Sequence, residues 1–141
     1  MKPAPYEHRD RVRWSDCDPM GIIWYGAYPR LFEAAEFELL RSCGLSYEAL
    51  RGEGGVWLPR KAFTAEYHSP AQMDEEVIVA ASVTKIGTTS LTWRFEVYRA
   101  SDRAHRASAR LTVVSVEKDA MIKRRIPDSV RQQLAPFIVA D

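Results

Sequence analysis

The sequence predicts an α+β fold in which one long helix packs on an antiparallel sheet of five strands. Three observations carry this. A single long stretch of helical periodicity, residues 27–43, lies early in the chain. Four strand-like stretches follow it, joined by turns too short for parallel crossovers. One more strand-like stretch precedes it. The 141 residues, 46% of them apolar, suffice to close one core, so residues 1–141 are read as a single domain.

Taken in order, residues 1–6 hold two prolines and are read as a tail. His8 to Trp14 alternates charge with Val12 and Trp14, the pattern of a half-buried strand. Residues 15–24 form a loop punctuated by Pro19 and Gly21. The helix runs from about Ala27 to Cys43. Pro29 fits only in its first turn, and Gly44 is a natural left-handed terminator. At 100° per residue, Tyr28, Leu31, Phe32, Ala35, Leu39 and Cys43 share one face, the expected core face. Glu33, Glu36, Phe37 and Leu40 form an adjoining face that mixes acids with large apolar groups, which suits a subunit interface or a site wall. Ser46 opens a short helix to about Arg51, ended by Gly52, Gly54 and Gly55.

Val56 to Ser69 reads as one long strand with a kink at Pro59, and Glu75 to Ile86 as a second. Thr89 to Arg99 alternates cleanly, with Leu91, Trp93, Phe95 and Val97 on one side. Arg103 to Glu117 sets Ala107, Ala109, Leu111 and Val113 on one side; the two small residues suit a sheet that curves around a helix. Asp128 to Ala135 is a final short helix. One helix cannot cover five strands, so the exposed sheet edge and the mixed helix face predict a homodimer or larger assembly.

Composition narrows the function classes. A net charge of +1 argues against a broad nucleic-acid surface. No stretch approaches the roughly 20 apolar residues that span a membrane. The opening Met-Lys-Pro-Ala-Pro-Tyr-Glu lacks the apolar core of a secretory leader. Two cysteines, Cys17 and Cys43, make no disulfide framework. The expectation is a reduced, cytoplasmic protein without nucleic-acid or membrane partners. No His/Cys cluster has zinc spacing and no glycine loop is built for phosphate, so neither metal nor cofactor is expected.

The chemistry concentrates in residues 15–44. Asp18 places a carboxylate in a turn. A few residues later the helix begins, with free N–H groups and a dipole that favours an anion. A carboxylate beside such a terminus is a workable site for attack on an acyl group: Asp18 attacks directly or acts as general base, and the Tyr25 N–H holds the oxyanion. The alternative is an ordinary Asp-Pro turn before an ordinary helix start. Asp16, two residues before Asp18, either raises its basicity or bonds the loop backbone. Cys17 lacks a histidine at a suggestive spacing.

The run Asp16-Cys17-Asp18-Pro19-Met20-Gly21-Ile22-Ile23-Trp24-Tyr25 resembles the 4-hydroxybenzoyl-CoA thioesterase family, through its Asp-x-Asp-x-x-Gly-x-x-x-Tyr/His core. The likeness extends to Tyr28…Leu31-Phe32-Glu33, Tyr67…Pro70-Ala71…Asp74 and Ile126-Pro127, nearly the whole chain. It implies the hotdog fold, a five-stranded antiparallel sheet wrapped around one long helix, in dimers often paired into tetramers. It implies cleavage of an acyl-CoA thioester without metal or cofactor, with Asp18 as the catalytic acid.

Tyr25 after Trp24 resembles the aromatic-acyl branch; the short-chain branch has histidine there. Glu33 then matches the helix carboxylate that meets the substrate's ring hydroxyl, where the benzoyl enzyme has aspartate; the short-chain branch carries glutamate at that position as well. Glu33 lies about 12 Å along the helix from Tyr25. Tyr25, Trp57 and Leu58 are the candidate acyl-pocket walls. The turn after Lys85 carries fewer bases than the aromatic enzyme's, so Lys123 and Arg124, beside Arg125, are candidates for the CoA phosphates with Lys85. The expected substrate is an aromatic acyl-CoA such as 4-hydroxybenzoyl-CoA. The alternatives are a short- or medium-chain acyl-CoA or acyl carrier protein thioesterase, and a non-catalytic acyl-CoA-binding hotdog protein.

Overall fold

The computed structural model describes residues 2–141; Met1, part of the predicted tail, lies outside the described residues. The strands are β1 (Tyr6–Arg11), β2 (Val56–Trp57), β3 (Arg60–Tyr67), β4 (Glu76–Ile86), β5 (Ser90–Arg99), β6 (His105–Val114) and β7 (Val116–Glu117). The helices are α1 (Tyr28–Ser42), α2 (Tyr47–Ala49) and α3 (Asp128–Leu134). Five strands form one antiparallel sheet in the order β1-β4-β5-β6-β3, and β2 pairs β7 apart from it. This is the predicted fold class, with α1 packed on the sheet's inner face.

The helix forms where its periodicity places it. Tyr28, Leu31, Phe32, Ala35 and Leu39 are all buried, and they meet Trp93, Phe95 and Val97 from the inward side of β5. Phe32 stacks on Phe95 with ring centroids 5.0 Å apart. Pro29 sits in the first turn, and Gly44 ends the helix at φ +79°. Ser46 caps α2, its hydroxyl accepting from the Ala49 N–H at 3.1 Å. Ala107 and Ala109 are fully packed against the core, as expected for a sheet curving past a helix.

Four expectations need correction. The long strand over 56–69 is two strands. Its chain is broken at Leu58-Pro59, because a proline cannot donate to the ladder. The strand over 103–117 likewise divides at Ser115 into β6 and β7, and the two fragments β2 and β7 pair with each other. The tail is tied down: the Ala4 N–H donates to the Pro136 carbonyl at 3.0 Å, and Tyr6 opens β1 with its ring edge-on to Phe137. On the mixed face of α1, Glu36 and Leu40 are buried within the chain, while Glu33 and Phe37 stay exposed.

Glu36 is buried because it has a partner. Arg60, at the start of β3, forks onto it with N–O distances of 2.8 and 2.5 Å. Tyr47 OH lies 3.4 Å from the same guanidinium. Further along β3, Phe63 packs on Phe32 and Tyr67 on Tyr28. The strand is thus held to α1 along its inner face. Its residues are nonetheless exposed or half-exposed throughout, and its outer edge pairs with no strand among the described residues.

Candidate active site

Residues 16–24 close into a narrow hairpin. Cys17 bridges Ile23, the Trp24 N–H donates to the Asp16 carbonyl at 3.1 Å, and the Asp18 N–H to the Ile22 carbonyl at 3.0 Å. Gly21 makes the turn at φ +77°, where a side chain would strain the backbone. The loop before β4 is laid on this hairpin by the Ile23 N–H to the Ala71 carbonyl and the Met73 N–H to the Gly21 carbonyl. The hairpin's outgoing arm runs straight into a helical turn over Tyr25–Ala27 and then into α1.

Asp18 is half-buried at the closed end of this hairpin. Its Oδ1 accepts from the Met20 N–H at 2.9 Å, and Oδ2 has no partner among the described residues. The side chain lines a cavity of about 430 Å³ with Trp14, Cys17, Pro19, Gly21 and Met73. Burial and the flanking carboxylates Asp16 and Asp18 push the Cys17 thiol up, which disfavours the thiolate.

At the open end, no side chain among the described residues caps the Tyr25–Ala27 turn. Uncapped N–H groups at a helix start of this kind, here those of Tyr25 and Gly26, favour an anion. The Tyr25 ring is 70% exposed and borders a second cavity, of about 300 Å³, with Ile22, Ile23, Tyr28, Tyr67 and Pro70. Burial pushes the Tyr28 hydroxyl up to about 12, so it stays a proton donor at neutral pH.

Asp16 does not flank Asp18 as a free charge. It is buried, with Arg30 donating to it at 3.0 and 2.6 Å and the Arg13 N–H at 2.7 Å. Arg30 also reaches Asp10 and the Arg11 carbonyl, both at 3.2 Å. One ion pair thus joins β1, the hairpin and the first turn of α1. Of the two roles the sequence allows for Asp16, the bond to the loop backbone is present, from the Arg13 N–H; the pairing with Arg30 is not among them. The available signal was a cation in a helix's first turn, where the dipole disfavours it unless a carboxylate is near. Burial alone would raise the Asp16 carboxyl. The bonds from Arg30 and Arg13 outweigh burial and hold it below the usual carboxylate range. A depressed folded value stabilises above the unfolded value of about 4 and is lost as pH falls through the folded one. Melting curves should therefore show a larger fall between about pH 5 and pH 2 in the parent than in Asp16→Asn; equal falls would exclude this role.

The remaining predicted residues lie elsewhere. Glu33 is exposed on α1 with no hydrogen bond or ion pair among the described residues. Trp57 and Leu58 line an apolar cavity of about 290 Å³ with Tyr47, Leu50, Val56 and Pro59. That cavity lies past the carboxyl end of α1, whereas Asp18 and Tyr25 lie at its amino end. The 15 residues of α1 put these ends about 22 Å apart. One chain therefore does not bring Asp18 together with Trp57 and Leu58.

The backbone segments that carry the predicted basic residues are neighbours. The Ile126 N–H donates to the Thr88 carbonyl of the turn after Lys85 at 2.9 Å, and Ser115 links the two segments, its N–H donating to the Thr89 carbonyl at 2.7 Å and its carbonyl accepting from the Arg124 N–H at 2.9 Å. Arg131 adds a donor to the Gly87 carbonyl at 2.6 Å. Lys85 and Lys123 are exposed there and Arg124 is half-buried. On the sheet's outer face, Glu96 accepts from His105 and Ser108 at 2.6 and 2.7 Å inside a polar cavity apart from the hairpin.

Comparison with known proteins now bears on this geometry. Residues 20–104 match the family model described as Thioesterase superfamily. The chain belongs to that family. It is a thioester hydrolase of hotdog fold. The matched span begins just after Asp18, so the carboxylate itself rests on the hairpin geometry rather than on the family match. The acyl-CoA thioester hydrolase YbgC of Escherichia coli O6:H1 is 30% identical over 120 residues, 85% of this chain and 88% of that protein. The 4-hydroxybenzoyl-CoA thioesterase of Pseudomonas sp. strain CBS-3 is 27% identical over 93 residues, 64% of this chain and 66% of that protein. Among solved structures, a thioesterase superfamily protein from Jannaschia superposes with TM-score 0.88 at 25% identity, covering 99% of both chains. The Synechocystis 1,4-dihydroxy-2-naphthoyl-CoA thioesterase shares the fold, with TM-score 0.84 at 18% identity over 92% of this chain and 95% of that one. No helix of this thioesterase, among the described residues, is long and apolar enough to cross a membrane.

Proposed function

We propose that this thioesterase hydrolyses an aromatic acyl-CoA of the 4-hydroxybenzoyl type, with Asp18 as the catalytic carboxylate. The observation that carries the reading is the hairpin itself. It holds a carboxylate with one unpaired oxygen at its closed end and feeds an uncapped helix terminus at its open end. In the nucleophilic route, Asp18 attacks the thioester carbon, the C–S bond breaks to release the CoA thiolate, and water cleaves the resulting anhydride. In the general-base route, Asp18 takes a proton from water, which attacks instead. Either way the Tyr25 N–H faces the developing oxyanion.

The split of the predicted residues between the two ends of α1 supports a site completed by a second copy. Antiparallel pairing through the open edge of β3 would set one copy's Trp57 and Leu58 toward the other's Asp18. Phe63 and Tyr67, 44% and 49% exposed on that strand, are the large apolar groups such pairing would cover. The working unit is thus a homodimer or a pair of dimers. Glu33, with an unpaired carboxylate, is assigned to the polar substituent of the acyl ring. Lys85, Lys123 and Arg124 are assigned to the CoA phosphates because the backbone segments that carry them are neighbours. The free thiols Cys17 and Cys43 suit the reducing cytoplasm.

A second reading has its own observation. The cavity at Trp57 and Leu58 is almost wholly apolar, which suits an aliphatic short or medium acyl chain as well as a ring. A panel of acyl-CoAs assayed for thiol release decides. Preference for 4-hydroxybenzoyl-CoA, reduced about tenfold or more in Glu33→Ala, supports the aromatic reading; a buried hydroxyl that loses its partner costs that much. Preference for aliphatic chains unaffected by Glu33→Ala overturns it.

A further inference from the structure

The start of α1 carries a glycine that its backbone does not require. Gly26 lies in a helical turn and is not among the residues with positive φ. Alanine would be the better helix former there. The reason for glycine is a neighbour. A Cβ built on Gly26 would lie 2.3, 2.4 and 2.8 Å from Cη2, Cζ3 and Cζ2 of Trp24, all in the six-membered ring of the indole. That ring is seated on the bare Cα of Gly26.

The seat has a second side. Trp24 also packs edge-on against the Tyr25 ring, centroids 5.5 Å apart at 75°. Tyr25 in turn borders the cavity with Ile22, Ile23, Tyr28 and Tyr67. Trp24 is 46% exposed, so a large apolar ring is kept half in water at the helix's amino end. Its backbone is held by the Trp24 N–H to the Asp16 carbonyl, at the root of the hairpin that carries Asp18.

We propose that Trp24, seated on Gly26, determines specificity by fixing the Tyr25 ring and so setting the width of acyl group admitted to the amino end of α1. The proposal rests on the reading of that end as the acyl site. Gly26→Ala unseats the indole while leaving the identity of every cavity-lining residue unchanged. Trp24→Leu removes the indole while keeping an apolar cover. Both routes release Tyr25, so they should produce one phenotype.

The test is the ratio of kcat/KM for 2-naphthoyl-CoA to that for benzoyl-CoA, measured in the parent, both single variants and the double variant. A ratio cancels losses of active enzyme, and melting curves report folding. The expected result is a rise in the ratio of tenfold or more in both single variants, with the double variant matching the singles. An unchanged ratio in Trp24→Leu, which keeps a fold test independent of Gly26, overturns the proposal. So does a double-variant effect equal to the product of the two single effects. If the parent releases no thiol from any acyl-CoA, the acyl-site reading itself fails. If the parent is active and the ratios do not move, only the role of Trp24 fails.

Discussion

Asp18→Asn is expected to lower kcat by about 10²–10⁴-fold, the range for loss of a positioned acid–base group. The fold and KM should stay close to those of the parent. The geometry explains why the effect should be confined to turnover. Asparagine keeps a carbonyl oxygen where Asp18 accepts from the Met20 N–H, so the hairpin loop retains its internal bond. The Asp18 N–H to Ile22 and Gly21 N–H to Asp18 bonds are main-chain and unaffected. Only the charge and basicity of the second oxygen disappear. Steady-state hydrolysis with matched melting curves is the measurement, and equal rates in the two proteins would remove Asp18 from the mechanism.

Arg60→Ala carries the largest expected cost in stability, about 3 kcal/mol or more, because it strands the carboxylate of Glu36 inside the protein. Glu36 is fully buried, whereas the Arg60 side chain is 41% exposed, so the penalty falls on the acid that water cannot reach. For a chain of this size that corresponds to roughly 10 °C in melting temperature. Replacing both partners with leucine should recover most of the loss, since the stranded charge is then gone. Thermal or urea unfolding of the two variants checks this; a fall below about 1 kcal/mol in Arg60→Ala would show that Glu36 finds another partner.

What could be read from the chain follows from how local each signal is. The alternation of Leu91, Trp93, Phe95 and Val97 states which side of β5 is buried, because strand geometry is set residue by residue. The same holds for the 100° spacing on α1. Gly21 and Gly44 were legible because only glycine sits easily at positive φ. The breaks at Pro59 and Ser115 were harder. They depend on β2 and β7 finding each other across 60 residues of sequence, and a two-residue strand carries almost no periodicity of its own. Glu36 belongs to the core instead of an interface or site wall, because its burial depends on Arg60, 24 positions away, and no spacing rule links a helix acid to a later strand. The proposed carboxylate, Asp18, stands out in the chain because it sits in the Asp-x-Asp-x-x-Gly run, a local pattern. Gly26 looked like one more turn residue, because its meaning lies in where the Trp24 ring comes to rest.

The sheet's two rims differ in a way that bears on how the molecule avoids fibres. β1 presents Glu7, Arg9 and Arg11, all exposed and charged, and the chain's last segment extends its row through the Val83–Ile138 bridge. A backbone row studded with charge gives a stranger little reason to add on. β3 also carries the exposed charges Arg60, Lys61 and Glu66, but it sets the exposed rings of Phe63 and Tyr67 among them, and no strand among the described residues pairs its outer row. In the proposed dimer, strand addition would use the β3 rim of both copies at once. The assembly would end with that step, self-limited by the unlikeness of the two margins.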